Sequence, residues 1–257
     1  MKKRPFDSYP EFINTDPRID RTHTYSVDAD FMHNRHSAFF NMKLKNKKIL
    51  DLGSCVGATG AWVLDKGASL YHGVELDANI ARISEKNLSK YFLNWKIANT
   101  DIESYLSSNS LRYDIVVASG VLFSLFDPIP FLSNIAKITD CLIIDSVHPK
   151  CFADSMITDD LMESIPLITF RSDQAMTWEK EMFEYPGSNP SLGFLKFYLS
   201  ILGFEYQSEC YEQLKRDCPT LYHNRERYGC RFIRTSTPKL TGFVNKLNAD
   251  NKKTTQR

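Results

Sequence analysis

Ile49-Leu50-Asp51-Leu52-Gly53-Ser54-Cys55-Val56-Gly57-Ala58-Thr59-Gly60 passes in twelve residues from an apolar strand, through a turn of small residues, into a segment of helical length, Gly57–Lys66. Glycine supplies the turn dihedrals and lets backbone come close to a ligand. The helix start beyond it offers free N–H groups. A loop that holds a dinucleotide carries G-x-G-x-x-G, its second glycine making room for the pyrophosphate. Cys55 stands at that position, and Asp51 at the strand's end would repel a diphosphate while attracting a cation. The loop therefore favours a positively charged nucleoside that carries no phosphate.

Outward from this stretch, β-rich runs alternate with helical lengths. The runs are Leu70–Val74, Trp95–Ala98, Tyr113–Ala118 and Cys141–Ser146. Between them lie Ala78–Tyr91, a short turn near Ile102–Leu106, and Ile129–Ile138. Strand, crossover and strand at this spacing predict βαβ units in a parallel sheet covered on both faces. The first 47 residues are polar, with Pro5, Pro10 and Pro17 as breakers and a helix expected over Asp30–Met42, where Phe31, Phe39 and Phe40 mark an apolar face. They read as an arm packed on a domain spanning 48–235. Residues 147–190 break the rhythm, with a helical part near Asp154–Ser164 and the run Leu167–Arg171, and are expected to lie as a lid over the strands' C-terminal ends. A helix Ser191–Leu202 and strands Phe204–Gln207 and Cys230–Arg234 follow, then a polar tail, 236–257.

The chain has 257 residues, and 32 Lys and Arg against 31 Asp and Glu leave a net charge of +1. That balance speaks against strong nonspecific binding to nucleic-acid phosphates. No stretch approaches the roughly 20 apolar residues of a membrane span, and the basic start lacks the apolar run of a secretion signal. The six cysteines form no C-x-x-C pair, and a cytoplasmic protein is expected. Cys210, Cys218, His223 and Cys230 are separated by seven, four and six residues, which matches no compact zinc pattern, so no metal is expected.

Two further acids follow strands. Glu75, 24 residues after Asp51, is a candidate to accept hydrogen bonds from both hydroxyls of a ribose. A helix cap is the alternative, for which Asp77 is better suited. Asp101 is a candidate acceptor for an adenine amine with Ile102 packed on the ring; alone an acid there is commonly a cap, and the other two elements favour the binding role.

The order ILDLGSCVGATG, VELD, NTDIE, YDIVVASGVLFSLFDPIPFL and CLIIDS resembles a class I S-adenosylmethionine-dependent methyltransferase over about Lys48–Ser146, and the last helix and two strands extend the likeness to about Arg234. The resemblance implies an α/β, Rossmann-like, doubly wound and mostly parallel seven-stranded sheet, helices on both faces, and an antiparallel last strand. It implies S-adenosylmethionine as cofactor, with Asp51, Gly53, Ser54 and Gly57 on the methionine side and Glu75 on the ribose beside Leu76. Asp101 and Ile102 would contact adenine, and Ser119 and Gly120 would stand next to the cofactor. Cys55, where the family usually has a second glycine, is the departure. A narrower likeness, in Ser119–Ser124 with Asp127-Pro128 and in Asn189-Pro190-Ser191 before Leu202-Gly203-Phe204, is similar to enzymes that carboxymethylate tRNA wobble uridine. Those usually carry Tyr-His in place of Phe123-Ser124, so only fold and cofactor site carry over.

The implied reaction is in-line displacement at the sulfonium methyl by an O or N nucleophile of a small-molecule acceptor. A tRNA-modifying methyltransferase and a non-methylating cofactor binder are the alternatives. His148, after the fifth strand, is the candidate base, or else a surface histidine before a proline turn. Arg35 and His36 are candidates for acceptor contact, although His33 and His36 also suit a solvated helix face. Phe123 is a candidate for acceptor contact, and Trp178, with Phe183 and Tyr185, for an aromatic wall around a planar acceptor, although core packing of the insertion explains these three equally well. Arg225, Glu226 and Arg227 read as a solvated turn.

Overall fold

Short runs of β-branched and aliphatic residues form the parallel strands where they are expected, each within two residues; the last strand begins three residues earlier than expected, at Arg227, and the short strand Ser188–Pro190 was not expected. A computed structural model describes residues 4–16, 29–147, 164, 166, 168–170, 187–222 and 227–238. The strands are β1 Lys48–Leu52, β2 Leu70–Glu75, β3 Trp95–Asn99, β4 Ile115–Ser119 and β5 Cys141–Val147, followed by β6 Ile168–Phe170, β7 Ser188–Pro190, β8 Phe204–Gln207 and β9 Arg227–Arg234. The helices are α1 Pro5–Ser8, α2 Glu11–Asn14, α3 Ala29–Phe39, α4 Ala58–Asp65, α5 Ala78–Ser89, α6 Ile102–Ser108 and α7 Pro128–Ile138, followed by α8 Leu192–Ile201, α9 Ser208–Asp217 and α10 Pro219–Tyr222.

Seven strands pair in the order β3-β2-β1-β4-β5-β9-β8. The first five are mutually parallel. β9, the last strand among the described residues, runs antiparallel to both β5 and β8 and is therefore inserted between them. This is the Rossmann-like α/β sheet, and its strand order reverses between β1 and β4, where such sheets open a crevice at their C-terminal ends. Leu52 pairs with Ala118, so Gly53 and Ser119 flank that crevice.

Local chemistry ends the strands cleanly. Asp77 caps α5, accepting from the N–H groups of Asn79 and Ile80. Asp127 and Ser191 cap α7 and α8 in the same way. α9 was not foreseen: its apolar residues Cys210, Tyr211 and Leu214 are hidden among charges in SECYEQLKRD, and they bury against α3 and β9.

The arm departs from expectation in two ways. Pro5 opens α1 and Pro10 stands at the N-cap of α2, so neither breaks a helix, because the start of a helix has no use for the missing N–H. Second, His33 and His36 are buried rather than solvated, packed with Phe6 against Trp62. Phe39 and Phe40 join the same core, with Phe31 half-buried. Burial, with help from Arg4 and against Asp7, holds His33 below the usual histidine range.

β6 and β7 form an antiparallel ribbon within the expected lid, tied to the loop after β4 by the Ser188 N–H and hydroxyl, both donating to the Leu125 carbonyl. The rest of the expected helix Asp154–Ser164 apart from Ser164, Phe183, Tyr185, His223, Arg225, Glu226 and the tail beyond 238 lie outside the described residues. Among the described residues no helix is long and apolar enough to cross a membrane.

Candidate functional site

At the crevice between β1 and β4 lies a cavity of about 40 Å³. One wall is the segment from Asp51 to Cys55 with Thr59, another is Ser119, and the roof is α3 through Met32, Arg35 and His36. Arg35 and His36 thus reach the same cavity as the residues expected on the methionine side.

The loop is shaped by residues in the left-handed region: Gly53 at φ 77°, Cys55 at φ 49° and Gly57 at φ 84°. A Cβ at Gly53 would lie 2.4 Å from Val121 Cγ1, so only glycine fits. Cys55 takes this conformation at some steric cost. Its N–H donates to Glu75 Oε2 at 2.9 Å, and the Asp77 N–H donates to Oε1 at 3.0 Å. Glu75 is therefore not the α5 cap; it stands half-buried at the mouth of the loop.

Asp51 is fully enclosed and accepts from the Tyr71 hydroxyl at 2.9 Å. Burial pushes its carboxyl up to about 7, against the opposing pull of hydrogen bonds from Tyr71 and Thr59 and of the Arg35 charge. Leu76 is 72% exposed beside Glu75. Asp101 caps α6, accepting from the Ser104 N–H at 2.7 Å, which holds it below the usual carboxylate range. Ile102 opens that helix, half-buried.

Across the crevice a charged cluster appears that the sequence reading did not assemble. Asp145 on β5 is 1% exposed. Its carboxylate accepts from Arg35 Nη2 at 2.6 Å, Ser119 Oγ at 3.0 Å and Tyr222 at 3.2 Å, and from Arg227 Nε and Nη2 at 3.1 and 3.2 Å. Arg35 also donates to Ser119. Arg227 is thus a strand residue clamped on a buried acid, not part of a solvated turn; the charge run around it concealed that. The visible signal was an acid closing an apolar run in CLIIDS, since a buried carboxylate needs partners. Gly120, at φ 74°, donates its N–H to the Asp145 carbonyl at 2.7 Å, with Phe123 half-buried beside it. His148 and Trp178 lie outside the described residues.

Residues 50–140 match a family model described as a methyltransferase domain. No curated protein matches the sequence. Among solved structures the chain is similar to the N-terminal domain of EvdMO1, crystallised with SAH and D-fucose, at 12% identity and TM-score 0.57, covering 91% of this chain and 97% of that one. It is similar to an S-adenosylmethionine-dependent methyltransferase from Mesorhizobium loti at 12% identity and TM-score 0.55, covering 79% and 98%. A third likeness is to magnesium protoporphyrin IX methyltransferase from Synechocystis with bound SAH, at 13% identity and TM-score 0.52, covering 90% and 100%. At these identities the likeness is one of fold.

Proposed function

We propose that this chain, which carries a class I S-adenosylmethionine-dependent methyltransferase domain and uses S-adenosylmethionine as its cofactor, transfers the methyl group to an oxygen or nitrogen nucleophile of a small-molecule acceptor. The observation that carries the reading is the loop itself. Gly53 and Gly57 hold a curve that a side chain at Gly53 would block, Cys55 discourages a diphosphate, and carboxylates stand at both ends of the loop, Asp51 and Glu75. That donor set suits a cationic nucleoside.

When bound, the cofactor supplies a sulfonium methyl, a group with a good leaving group already attached. Asp51 attracts the positive charge, and Glu75 accepts from the ribose hydroxyls. Leu76 and Ile102 offer apolar surface to adenine while Asp101 accepts from its amine. Ser119 and Gly120 line the path at the switch point, and Phe123 and Trp178 wall the acceptor side together with the segment 147–190. Alignment and exclusion of water by these groups supply much of the rate.

His148, next after β5 in the sequence, serves as the base for a hydroxyl or amine acceptor. His148→Ala is expected to lower turnover by about 10²–10⁴-fold while sparing cofactor affinity. Full activity in single-turnover assays would remove it from the mechanism.

Asp51 makes binding pH-dependent. Its carboxyl titrates at about 7, and only the ionised form attracts a cation. Cofactor affinity is expected to be level above pH 7 and to fall by up to about tenfold per pH unit below it. Titration calorimetry from pH 5.5 to 8.5 checks this, and a flat profile rules Asp51 out as the counter-charge.

The acceptor class is tested by incubating the full chain with methyl-labelled cofactor and either metabolite extract or total tRNA. Label in a small molecule is the expected result. Label in RNA overturns the small-molecule reading, and methylthioadenosine without a labelled acceptor overturns methyl transfer.

A further inference from the structure

We infer that the methyl acceptor is a planar acid, its carboxylate held by the Arg227 guanidinium and its ring against Phe123, in the space beside Gly120 at the end of β4. The inference rests on the methyltransferase reading and names the chemical class of acceptor for that site.

Three observations carry it. The first is open space at the switch point. A Cβ added at Gly53, Gly57 or Gly73 would collide with a neighbouring side chain, at 2.4, 2.6 and 2.7 Å. At Gly120 it would meet nothing among the described residues nearer than Arg227 Nη2 at 3.9 Å and Phe123 Cε1 at 4.0 Å. The absent side chain leaves a gap bordered by a guanidinium and an aromatic ring. A planar acid offers the complementary pair, a face or edge for the ring and a carboxylate for the fork.

The second is charge. Asp145 carries one negative charge, and both Arg35 and Arg227 pair with it. The cluster therefore keeps one positive charge in excess. Asp51, the other acid whose charge acts on Arg35, is already assigned to the positive charge of the cofactor. An excess cation at the rim of a partly dry crevice draws an anion and penalises a neutral or cationic competitor.

The third is donor supply. Asp145 accepts from five donors, more than the about four lone-pair sites of a carboxylate. Arg35, Ser119 and Tyr222 bring three of these, so Asp145 stays satisfied when Arg227 shares its charge with a second carboxylate. Asp145 takes the Nε–Nη2 edge of Arg227, and the Nη1–Nη2 edge of a guanidinium carries further donors in the same plane. The Arg227 side chain is 16% exposed against 1% for Asp145, so a ligand reaches the arginine and not the acid that holds it. Arg227 opens β9 opposite Val147. The strand that completes the sheet thus also selects the acceptor.

Two measurements on the full chain test this. In the first, calorimetry on protein saturated with S-adenosylhomocysteine compares 4-hydroxybenzoate with 4-hydroxybenzamide, two rings of one shape that differ in charge. The acid is expected to bind about 10- to 100-fold more tightly than the amide. Equal affinities, a preference for the amide, or no binding of either overturn the inference without any variant. In Arg227→Gln the preference is expected to shrink to less than about 2-fold, and Arg227→Lys, which keeps the charge but loses the fork, is expected to fall between. A preference that survives Arg227→Gln overturns the assignment to Arg227. Where that variant does not fold, Arg227→Lys and the comparison in the unaltered protein decide. In the second measurement, metabolite extract is divided by anion exchange at neutral pH, and each pool is incubated with methyl-labelled S-adenosylmethionine. Label is expected in the anionic pool. Label confined to the unretained pool overturns the inference and leaves the methyltransferase reading standing. No binding of S-adenosylhomocysteine, or no labelled acceptor in either pool, removes the methyltransferase reading, and this inference with it.

Discussion

Asp145→Ala is expected to lower the unfolding free energy by about 3–5 kcal/mol. The reason is that the carboxylate is the shared counter-ion of Arg35, which is buried, and Arg227, which is half-buried against it. Removing it leaves two guanidiniums with like charge facing one another in a space closed by Tyr222 and Ser119. Denaturant unfolding measures the change as a drop in midpoint at unchanged slope. Asp145→Asn keeps the shape and an acceptor oxygen and is expected to cost less. A loss below about 1 kcal/mol in Asp145→Ala would mean that the guanidiniums reach water and that the cluster is not a structural centre. The wild-type chain carries its own check. Burial alone would raise this carboxyl, but Arg227 and Arg35 outweigh it and hold it at about 2. With a folded value below the ordinary 3.8, the stabilisation is present above that range and is lost as pH falls from 3.8 toward 2. The Ala variant is expected to lack that portion of the acid transition.

Glu75→Ala is expected to weaken binding of S-adenosylhomocysteine by about 1–3 kcal/mol, up to about 150-fold. Two losses combine. The acceptor for both ribose hydroxyls disappears, and so does the brace on the loop, because the N–H groups of Cys55 and Asp77 both end on this carboxylate. Cys55 sits at φ 49°, a conformation that persists only while its surroundings impose it. Glu75→Gln keeps one acceptor oxygen and is expected to retain part of the affinity. Calorimetry with each variant reads the effect; unchanged affinity in Glu75→Ala would sever this residue from the ribose.

The parallel strands were legible because their signal is local: apolar runs of strand length with helix-length spacers report a sheet covered on both faces. The same holds for the Gly53–Gly57 turn and for Asp77 as a cap. What was not legible depends on residues far apart in the chain. His33 and His36 look like a polar helix face until Phe6 and Trp62 close around them. Arg227 sits in a run of charges, and its burial follows only from β9 pairing with β5 beside Asp145. α9 is polar on average, and its three buried residues emerge only when α3 and β9 are in place. At Asp101 both readings were open; the side chain caps α6, a role that does not bar it from the adenine.

The two arginines on Asp145 come from opposite ends of the chain, Arg35 from the arm and Arg227 from the final strand. During synthesis the crevice-forming strands β1 to β5 emerge long before β9, which must insert between β5 and β8 to complete the sheet. A nascent chain that stops short of residue 227 therefore exposes an edge of β5 and carries Asp145 with half its counter-charge. Maturation of the catalytic half therefore waits on β9, which closes that edge only after strands β1 to β5 are in place.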